Sequence, residues 1–494
     1  MSIILCTLNS RYTHAALGLR YLFANLGELQ EQARILEFVI GIKTSAVVEQ
    51  LLAQRPSIIG FGVYIWNVAD TSKVVAMLKR LAPGIRIILG GPEVSYETAG
   101  QAIVDQADHV ITGWGEISLP GLCQRLLNED SIPSPKILAG VQAPLEKLAL
   151  PYALYTDEDI AHRTLYVEAS RGCPFKCEFC LSALDKTAWA FDPDIFLGEL
   201  EALYGRGARR FKFVDRTFNL NIQSSLRILQ FLLDKIAANP LDPVFAHFEV
   251  VPDHLPDALK ASVARFPPGT LQFEIGIQSW NPEVQALVSR KQNNAKAADN
   301  LRWLRTHSNV HLHVDLIAGL PGEDLDSFAR GFDRLYALGP HEIQLGILKR
   351  LRGTPIIRHT DSFGLVFDPE PPYAVLATDR MDFRSMQRLA RFARYWELVA
   401  NSGRFPNSMP VLLGDAPFAN FMAWSDWLYS KTGATHRIAL DRLADLMAQW
   451  LQLGGLSRNG ADALLVSDYA GQTRKARPAA PATLPRRQLQ HLAK

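Results

Sequence analysis

Short apolar segments alternate with amphipathic segments along most of the first 350 residues of this 494-residue chain. Alternation at this spacing is typical of parallel sheets in which each strand is followed by a helix. Within the first 130 residues, strands are predicted at 2–7, 33–38, 57–63, 86–89 and 109–111, and amphipathic segments at 15–26, 45–52, 69–81 and 96–101. The pattern predicts a Rossmann-like, doubly wound α/β domain.

A second α/β series, between residues 161 and 360, contains six predicted βα units. Its predicted strands are 164–170, 210–214, 244–248, 271–277, 311–317 and 342–348, and its predicted helices are 193–205, 224–238, 255–266, 282–288, 294–306 and 325–338. In such folds ligands bind at the carboxyl ends of the strands. Polar residues and glycines at those ends are therefore the candidates for a functional site.

Three cysteines, Cys173, Cys177 and Cys180, lie on one short loop after the first strand of the second series. Their C-x3-C-x2-C spacing would fill three corners of an iron–sulfur cube and leave the fourth iron open. A closed ferredoxin cluster uses four cysteines, and structural zinc normally has four ligands. Three buried thiols or a zinc knuckle are the alternatives. Cys6 and Cys123 are predicted to pack as small apolar side chains.

This triplet, with Phe179 before its last cysteine, resembles the cluster loop of the radical S-adenosylmethionine (radical SAM) superfamily. The resemblance implies a [4Fe–4S] cluster on the three cysteines, with the methionine end of S-adenosylmethionine on the open iron. It also implies a partial (β/α)6 TIM barrel over residues 161–360, and cleavage of S-adenosylmethionine to a 5′-deoxyadenosyl radical.

Further candidates for contacts with S-adenosylmethionine lie at the predicted strand ends. Glu274 and Gln278 share one face of the fourth strand, because side chains alternate along a strand. By resemblance to the family subset typified by the catalytic subunit of Elongator, the full set of candidates is Asp215, Thr217, Asn219, Glu274, Gln278, Asp315, Ile347 and Leu348. The second strand lacks the glycines of the family's Gly-Gly-Glu motif. Ordinary capping of the barrel is the alternative interpretation.

Glycine pairs end three strands of the first domain, at residues 60–62, 90–91 and 113–115. Glycine allows the backbone to approach a flat ligand or a phosphate closely, although tight turns also use it. With the preceding string at 8–22, these pairs resemble the cobalamin (B12)-binding module of B12-dependent radical SAM proteins. The candidate cobalamin contacts are Asn9, Tyr12, His14, Gly90, Gly91, Gly113, Gly115 and Glu116.

One motif of many corrinoid proteins is missing, since the sequence contains no Asp-x-His-x-x-Gly string. His14 is the only histidine in the first loop of the predicted domain. It either touches the cobalt or the lower face of the corrin, or is simply satisfied by hydrogen bonds. In the related methylases that this chain resembles, the corrinoid is expected to have no histidine beneath it.

The net charge gives no preference for nucleic acid or an anionic membrane, because the 52 lysine and arginine residues are nearly balanced by 50 aspartate and glutamate residues. Five cysteines, three of them on one loop, do not form a disulfide framework, and an oxygen-labile cluster needs a reducing compartment. No apolar run approaches the roughly 20 residues of a spanning helix. A cytoplasmic protein without a membrane partner is expected.

The predicted domains are a cobalamin-binding domain at 1–130, a proline-containing linker at 131–160, the barrel at 161–360, a mainly helical domain at 361–470 and a disordered tail at 471–494. In the helical domain, segments are predicted at 377–402, 417–432 and 437–453. Its aromatic residues could line a cleft, although an apolar helical stripe is more often core.

The resemblance implies a cobalamin-dependent radical SAM enzyme that methylates an unactivated carbon of a small molecule, with flavodoxin or ferredoxin as electron donor. One alternative is a cobalamin-dependent oxidative cyclase, like the anaerobic ring closure of bacteriochlorophyll synthesis. Another is an RNA-modifying enzyme, although such proteins usually add an RNA-binding β-barrel. A non-catalytic corrinoid or redox carrier is the last possibility considered.

Overall fold

The computed structural model describes residues 2–128 and 134–473, which form two compact units. The first unit comprises the described residues up to Asp215 together with Arg350–Pro355 and Asp368–Tyr373. The second comprises Arg216–Lys349, Ile356–Phe367 and the described residues from Ala374 onward. Two short segments from beyond residue 349 therefore pack with the N-terminal part of the chain.

The first unit begins with a parallel six-stranded sheet. Its strands are β1 (Ile3–Asn9), β2 (Ala33–Val39), β3 (Ile58–Gly62), β4 (Arg86–Gly90), β5 (His109–Thr112) and β6 (Ile137–Ala139), and its helices are α1 (Leu17–Ala24), α2 (Thr44–Ala53), α3 (Val68–Leu81), α4 (Ala102–Gln106), α5 (Ser118–Leu127) and α6 (Asp157–His162). The strand order is β2-β1-β3-β4-β5-β6. The predicted Rossmann-like sheet is confirmed.

Apolar residues cover both faces of this sheet, as expected for parallel strands between helices. Ile4 and Cys6 of β1 lie in one buried cluster, whereas Ile3 and Leu5 lie in the cluster on the other face. Cys123 is also fully buried in the second cluster. Cys6 and Cys123 therefore pack as small apolar side chains, as predicted.

Two features of the first unit differ from the predicted elements. Residues 96–101 are not helical, since Glu97 and Gly100 both adopt positive φ angles, and helix α4 begins only at Ala102. Strand β6 falls inside the predicted linker and pairs in parallel with β5. The domain boundaries themselves stay predictions.

The first unit continues with β7 (Leu165–Val167), β8 (Ser170–Arg171), β9 (Trp189–Ala190), α7 (Pro193–Gly205) and β10 (Arg210–Phe213). Strands β7 and β10 pair in parallel. Strands β8 and β9 form a small antiparallel pair, and the cysteine loop lies between them in sequence. Asp192 caps α7 through its carboxylate, which accepts hydrogen bonds from the backbone of Asp194 and Ile195.

The second unit contains four parallel strands in successive pairs. They are β11 (Phe245–Val250), β12 (Leu271–Gln278), β13 (His311–Ala318) and β14 (Glu342–Ile347), with α8 (Ile222–Ala238), α9 (Asp257–Val263), α10 (Pro282–Leu287), α11 (Asn294–His307) and α12 (Leu325–Ala337). With β7 and β10, the predicted six strands of the second series are all present. The alternation predicted for β12 is confirmed, since its odd-numbered residues are buried and its even-numbered residues are half-buried.

The C-terminal region is mainly helical, as predicted. It contains β15 (Val366–Phe367), β16 (Val375–Ala377), α13 (Phe383–Val399), α14 (Ser408–Leu413), α15 (Pro417–Thr432), α16 (Leu440–Leu453) and α17 (Arg458–Thr473). Many of its aromatic residues form core, since Phe392, Trp396 and Phe421 are all buried and in mutual ring contact, whereas Phe383 and Tyr429 are exposed.

Most of the predicted disordered tail, from residue 474, lies outside the described residues, whereas residues 471–473 end α17. Among the residues that the structure describes, no helix combines the length and apolar character needed to cross a bilayer.

Candidate functional site

A cavity of about 310 Å³ lies in the first unit, at the carboxyl ends of β3, β4 and β5. The sheet order reverses between β1 and β3, and ligands of open α/β sheets bind at such a switch point. The glycines that line the cavity are Gly18, Gly60, Gly62, Gly90, Gly91, Gly113 and Gly115. Glu116 lines it as well. Five of the predicted cobalamin contacts therefore share one cavity.

Two of these glycines lie in close contact with neighbouring residues, and at Gly91 the neighbour is backbone. A Cβ atom on Gly91 would lie 2.5 Å from the carbonyl oxygen of Val63, and Gly91 has a φ of +103°. A Cβ atom on Gly115 would lie 2.7 Å from the Leu22 side chain. Gly91 therefore requires glycine, whereas a side chain at Gly115 would require the flexible Leu22 side chain to move.

The other predicted cobalamin contacts, Asn9, Tyr12 and His14, do not line this cavity. Asn9 donates a hydrogen bond to the His14 carbonyl oxygen at 2.9 Å, and the His14 Nδ1 lies 2.5 Å from the Tyr166 hydroxyl. Partial burial, helped by nearby positive charges, lowers the pKa of His14. These contacts match the alternative of a hydrogen-bonded loop histidine.

Tyr12 is 46% exposed, and its hydroxyl donates a hydrogen bond of 2.5 Å to the Glu158 carboxylate. The Arg163 guanidinium lies 4.7 Å from the centre of its ring. Contact of Asn9, Tyr12 or His14 with a corrinoid stays a prediction.

The cysteine loop brings Cys173, Cys177 and Cys180 onto one turn-rich segment of the first unit. Cys173 and Cys177 are buried and Cys180 is half-buried, and none of the chain's five cysteines is in a disulfide. The Cys180 backbone donates to the Cys177 carbonyl at 3.1 Å, which places the half-buried Phe179 inside a turn. Within the described ranges, no three His, Cys, Asp or Glu side chains are grouped closely enough to hold a single metal ion.

Arg171, two residues before Cys173, connects the cysteine loop to the cavity. Its guanidinium donates hydrogen bonds of 2.6 Å to both Glu116 and Glu168, and it lies 4.5 Å from the centre of a Trp114 ring. All four side chains line the cavity. Because the arginine satisfies two buried carboxylates, it fixes the position of the cysteine loop relative to the glycine-lined wall.

Asp185 makes a second connection between the same two loops. Its carboxylate accepts a hydrogen bond of 2.9 Å from the Trp114 indole, and its carbonyl accepts one of 2.9 Å from the backbone of Cys173. Arg171 and Asp185 thus each join the cavity wall to the cysteine loop.

Asp215, a predicted contact of S-adenosylmethionine, is 2% exposed in the first unit. Its two carboxylate oxygens accept hydrogen bonds from the Ala169 backbone at 3.0 Å and from the Ser170 hydroxyl at 2.6 Å. Burial raises the pKa of Asp215 to about 7, although both hydrogen bonds act in the opposite direction. The side chain therefore holds the chain just before the cysteine loop.

Asn219 and Thr217 lie in the second unit. The Asn219 amide donates to the carbonyl oxygens of Val251 and His254 and accepts from the Val251 backbone, at 2.9, 2.5 and 2.7 Å. These contacts use both N–H donors and one of the two lone pairs of the amide oxygen, so a single lone pair remains. The side chain is fully buried. Thr217 is half-buried, and its carbonyl accepts a hydrogen bond from Leu220.

Glu274 lies on the half-buried face of β12, where its register partner on β11 is Glu249 and His247 is paired two residues earlier, with Gln272. The Glu274 Oε2 and the His247 Nε2 are 3.0 Å apart, although the angles at this contact do not make it a hydrogen bond. A buried carboxylate needs a partner, and this imidazole supplies one within the protein. Contact between Glu274 and S-adenosylmethionine stays a prediction.

Asp315 on β13 faces the same side as Glu274 and lies 3.2 Å from the Nε2 of His313. Burial raises the pKa of Asp315 to about 6. The pKa of His313 is raised to about 9, because the nearby carboxylates of Asp315, Glu342 and Glu274 outweigh its burial. The face of β11 to β14 that carries Glu274 is therefore densely charged.

Gln278 ends β12 in a positive-φ conformation, with φ +68°. Its Oε1 is buried without a hydrogen-bond partner. A side chain on Gly276 would collide with the Gln278 amide, since a Cβ there would lie 2.3 Å from Nε2. An unsatisfied amide oxygen in a strained residue at a strand end fits a polar ligand.

Ile347 ends β14 and is half-buried, whereas Leu348 is 2% exposed. The Leu348 backbone donates to Ala318 at 2.9 Å, and its carbonyl accepts from Val375 at 2.8 Å. Ile347 is the more accessible of the two predicted adenine contacts.

Sequence reasoning missed the partners that hold these groups, namely Arg171, Glu168, Asp185, His247 and His313. Arg171 and Glu168 are adjacent to the cysteines, so a charged residue beside a predicted cluster loop was an available signal. His313 was visible as well, since it is one alternation step from Asp315 on the same strand.

Three family models match the chain. The B12 binding domain matches residues 4–123, the radical SAM superfamily matches residues 167–335, and "Protein of unknown function (DUF4080)" matches residues 361–492. The cavity lies largely within the first region and the three cysteines lie within the second.

Two methyltransferases are among the curated proteins with similar sequences. A 2-(S-pantetheinyl)-carbapenam-3-carboxylate methyltransferase of Streptantibioticus cattleyicolor is 25% identical over 327 residues, covering 58% of this chain and 46% of the relative. The cobalamin-dependent radical SAM methyltransferase TokK of Streptomyces tokunonensis is 24% identical over 340 residues, covering 60% and 47%. The chain thus spans about half the length of these two relatives.

A tRNA-2-methylthio-N(6)-dimethylallyladenosine synthase of Methylibium petroleiphilum is 23% identical over 332 residues, covering 65% of this chain and 66% of the relative. Among solved structures, the radical SAM methyltransferase TsrM of Kitasatospora setae, with cobalamin and a [4Fe–4S] cluster bound, superposes with a TM-score of 0.59. The sequence identity is 15%, and the match covers 96% of this chain and all of that one.

The fold class is a B12-binding α/β domain followed by a radical SAM α/β domain and a helical C-terminal region. The chain therefore contains a B12 binding domain and a radical SAM superfamily domain. The closer resemblance to the catalytic subunit of Elongator stays a prediction.

Proposed function

We propose that this protein is an enzyme that uses a [4Fe–4S] cluster, S-adenosylmethionine and cobalamin to methylate an unactivated carbon of a small molecule. The observation that carries the proposal is the Arg171 contact. It ties a glycine-lined cavity at the switch point of one domain to the three-cysteine loop of the next. The contact keeps the two candidate cofactor sites beside each other, as an enzyme that uses both cofactors requires.

The residues present fit these cofactors. Cys173, Cys177 and Cys180 would hold the cluster, and the cavity glycines would contact cobalamin, since they line the cavity and bring no side chain into it. Gln278 would contact S-adenosylmethionine, because its Oε1 is buried without a hydrogen bond. Asp315 is a further proposed contact, although its Oδ1 already lies 3.2 Å from the His313 Nε2. The remaining proposed contacts are Phe179, Asp215, Thr217, Asn219, Glu274, Ile347, Leu348, Asn9, Tyr12, His14 and Glu116.

When bound, the cluster with S-adenosylmethionine would supply a radical that abstracts hydrogen, and cobalamin would supply the methyl group. The chain's own residues hold and orient these groups. Arg171 and Asp185 fix the cysteine loop against the cavity wall, and Asp215 fixes the chain before that loop. The His313 side chain, with its raised pKa, keeps a positive charge beside Asp315 and so helps the Asp315 carboxylate to stay ionised.

A small-molecule acceptor is favoured over RNA because the chain is nearly neutral, with 52 basic and 50 acidic residues. The two methyltransferase relatives support methylation rather than oxidative cyclisation. Flavodoxin or ferredoxin is the proposed electron donor.

The test is anaerobic reconstitution of the full chain with iron, sulfide and hydroxocobalamin. The protein is then incubated with cell extract, reduced flavodoxin and S-adenosylmethionine labelled at its methyl group. Label should enter a small-molecule fraction, together with formation of 5′-deoxyadenosine. Cys173→Ala should abolish both signals, because the loop then has two thiolates and cannot hold the cluster.

The matched control is Cys123→Ala, which removes a buried thiol far from the cysteine loop in sequence and should retain cluster iron. Deoxyadenosine without label transfer would indicate oxidative chemistry instead. Label in the RNA fraction would indicate RNA modification. Full iron loading by Cys173→Ala would contradict the cluster assignment.

A further inference from the structure

The loop after β4, residues 91–97, forms one side of the cavity and is closely tied to its glycines. The Ser95 hydroxyl donates to the Gly91 carbonyl at 2.8 Å and accepts from the Gly113 backbone at 3.1 Å. Gly91 and Gly113 both line the cavity. The position of this loop therefore determines where two of the cavity glycines lie.

Residues more than 250 positions later in the sequence hold this loop. The Glu93 Oε1 accepts hydrogen bonds from the Arg352 Nε at 2.9 Å and from the Tyr373 hydroxyl at 2.6 Å. Glu93 is 4% exposed and Tyr373 is 5% exposed. The Arg352 guanidinium also contacts the Tyr373 ring, at 5.0 Å from its centre.

A second pair of contacts reinforces the first. Arg350 donates to the Glu97 carboxylate at 2.7 Å, and the Gly353 backbone donates to the same carboxylate at 3.0 Å. Gly353 packs so closely on Tyr96 that a Cβ atom would lie 2.3 Å from the Tyr96 Cγ. The segments 350–355 and 368–373, here called the strap, belong to the first unit through such contacts.

We propose that Glu93, Arg352 and Tyr373 are positioning residues for the corrinoid: the strap fixes loop 91–97 so that Gly91 and Gly113 face the ligand. This inference rests on the proposed function. The strap lies outside residues 4–123, which match the B12 binding domain, so that domain is completed by a distant part of this chain. The two hydrogen bonds that Arg352 and Tyr373 donate to Glu93 are here called the clasp. Without the clasp the loop 91–97 can move, and corrinoid affinity falls because the ligand must then order the loop.

The experiment measures equilibrium binding of hydroxocobalamin to the full chain by its absorbance. Glu93→Gln should weaken binding by about tenfold, or about 1.4 kcal/mol. Arg352→Gln should do the same, whereas Arg352→Lys should stay within about threefold of wild type since it retains the charge. The double variant Glu93→Gln/Arg352→Gln should bind hydroxocobalamin no more weakly than either single variant, because both substitutions remove the same Glu93–Arg352 contact.

Tyr373→Phe removes a single hydroxyl and keeps the buried ring, so it reports on the clasp even if the charge variants fold poorly. It should weaken binding by about threefold at an unchanged cluster iron content. The control is Arg388→Gln, which breaks a more exposed arginine–carboxylate ion pair with Asp426 in the C-terminal helices. Its corrinoid affinity should equal that of wild type.

The outcomes separate the two proposals. A wild-type protein that binds no hydroxocobalamin overturns the proposed function and the strap together. Wild-type binding with unchanged affinity in Glu93→Gln, Arg352→Gln and Tyr373→Phe overturns the strap alone. An equal loss of affinity in Arg388→Gln also overturns it, because the effect would then not be specific to the clasp.

Discussion

Three buried carboxyl groups have pKa values well above those of exposed carboxyl groups. Asp215, Asp315 and Glu323 have pKa values raised to about 7, 6 and 7, in each case chiefly by burial. Sequence analysis singled out the first two and not Glu323. One Glu323 oxygen accepts a 2.6 Å hydrogen bond from Ser279, and the other is buried without a hydrogen-bond partner. Glu323 is therefore better suited to its site when protonated.

Replacing Glu323 with glutamine should stabilise the protein at high pH. The folded pKa of about 7 exceeds the ordinary 4.5, so the stability of the protonated form is fully present below pH 4.5 and is lost as the pH rises through 7. Glutamine does not ionise. Glu323→Gln should therefore raise the free energy of unfolding by about 2–3 kcal/mol at pH 8, and by less than about 1 kcal/mol at pH 5.

Urea denaturation at the two pH values gives the comparison. Glu283→Gln, which changes an exposed carboxylate at the start of α10, is the control and should show no such difference between pH 5 and pH 8. Equal effects of Glu323→Gln at both pH values would mean that Glu323 is ionised in the folded protein throughout this range.

At the scale of elements, periodicity predicted the helices and strands with regular patterns and missed the short ones. Helices α7 and α15 have the predicted limits, and β12 has the predicted alternation. The prediction of a helical segment at 96–101 was wrong, because Glu97 and Gly100 adopt positive φ angles that interrupt a helix. The two-residue strands β8 and β9 were missed, since two residues carry no period.

The loop after β4 depends on glycine at residue 91. In Gly91→Ala the methyl group would meet the Val63 backbone at 2.5 Å, and φ +103° is disfavoured for alanine. We expect a loss of at least about 3 kcal/mol in stability and of at least tenfold in affinity for hydroxocobalamin. Thermal unfolding and absorbance titration measure the two effects.

Gly100→Ala is the matched control for this change. Gly100 also has a positive φ, +76°, but nothing lies within 4 Å of its Cβ position, and it does not line the cavity. It should lose about 1–2 kcal/mol in stability and keep its affinity. Wild-type affinity in Gly91→Ala would show that loop 91–97 does not contact the ligand.

At the scale of the whole molecule, the sequence predicted the glycines of the cavity wall and none of the contacts that hold that wall. Gly90, Gly91, Gly113 and Gly115 were identified because glycine at a strand end is a local signal. The strap was not, since its contacts join residues more than 250 positions apart and no periodicity encodes such a pairing. The hydrogen bonds of Asn219 to the backbone of Val251 and His254 were not predicted for the same reason, because those partners are visible only in the fold.

Corrinoid binding should therefore protect distant segments of the chain together. A ligand at a hundredfold excess over its Kd stabilises the folded form by about 2.7 kcal/mol, and amides that open with the binding site share this protection. With hydroxocobalamin bound, hydrogen exchange should slow in residues 91–97 and 113–116 and also in 350–355 and 368–373. Exchange in α13, which belongs to the second unit, should not change. Protection confined to residues 4–123, measured by mass spectrometry of peptides, would mean that the strap packs on the first unit without sensing its ligand.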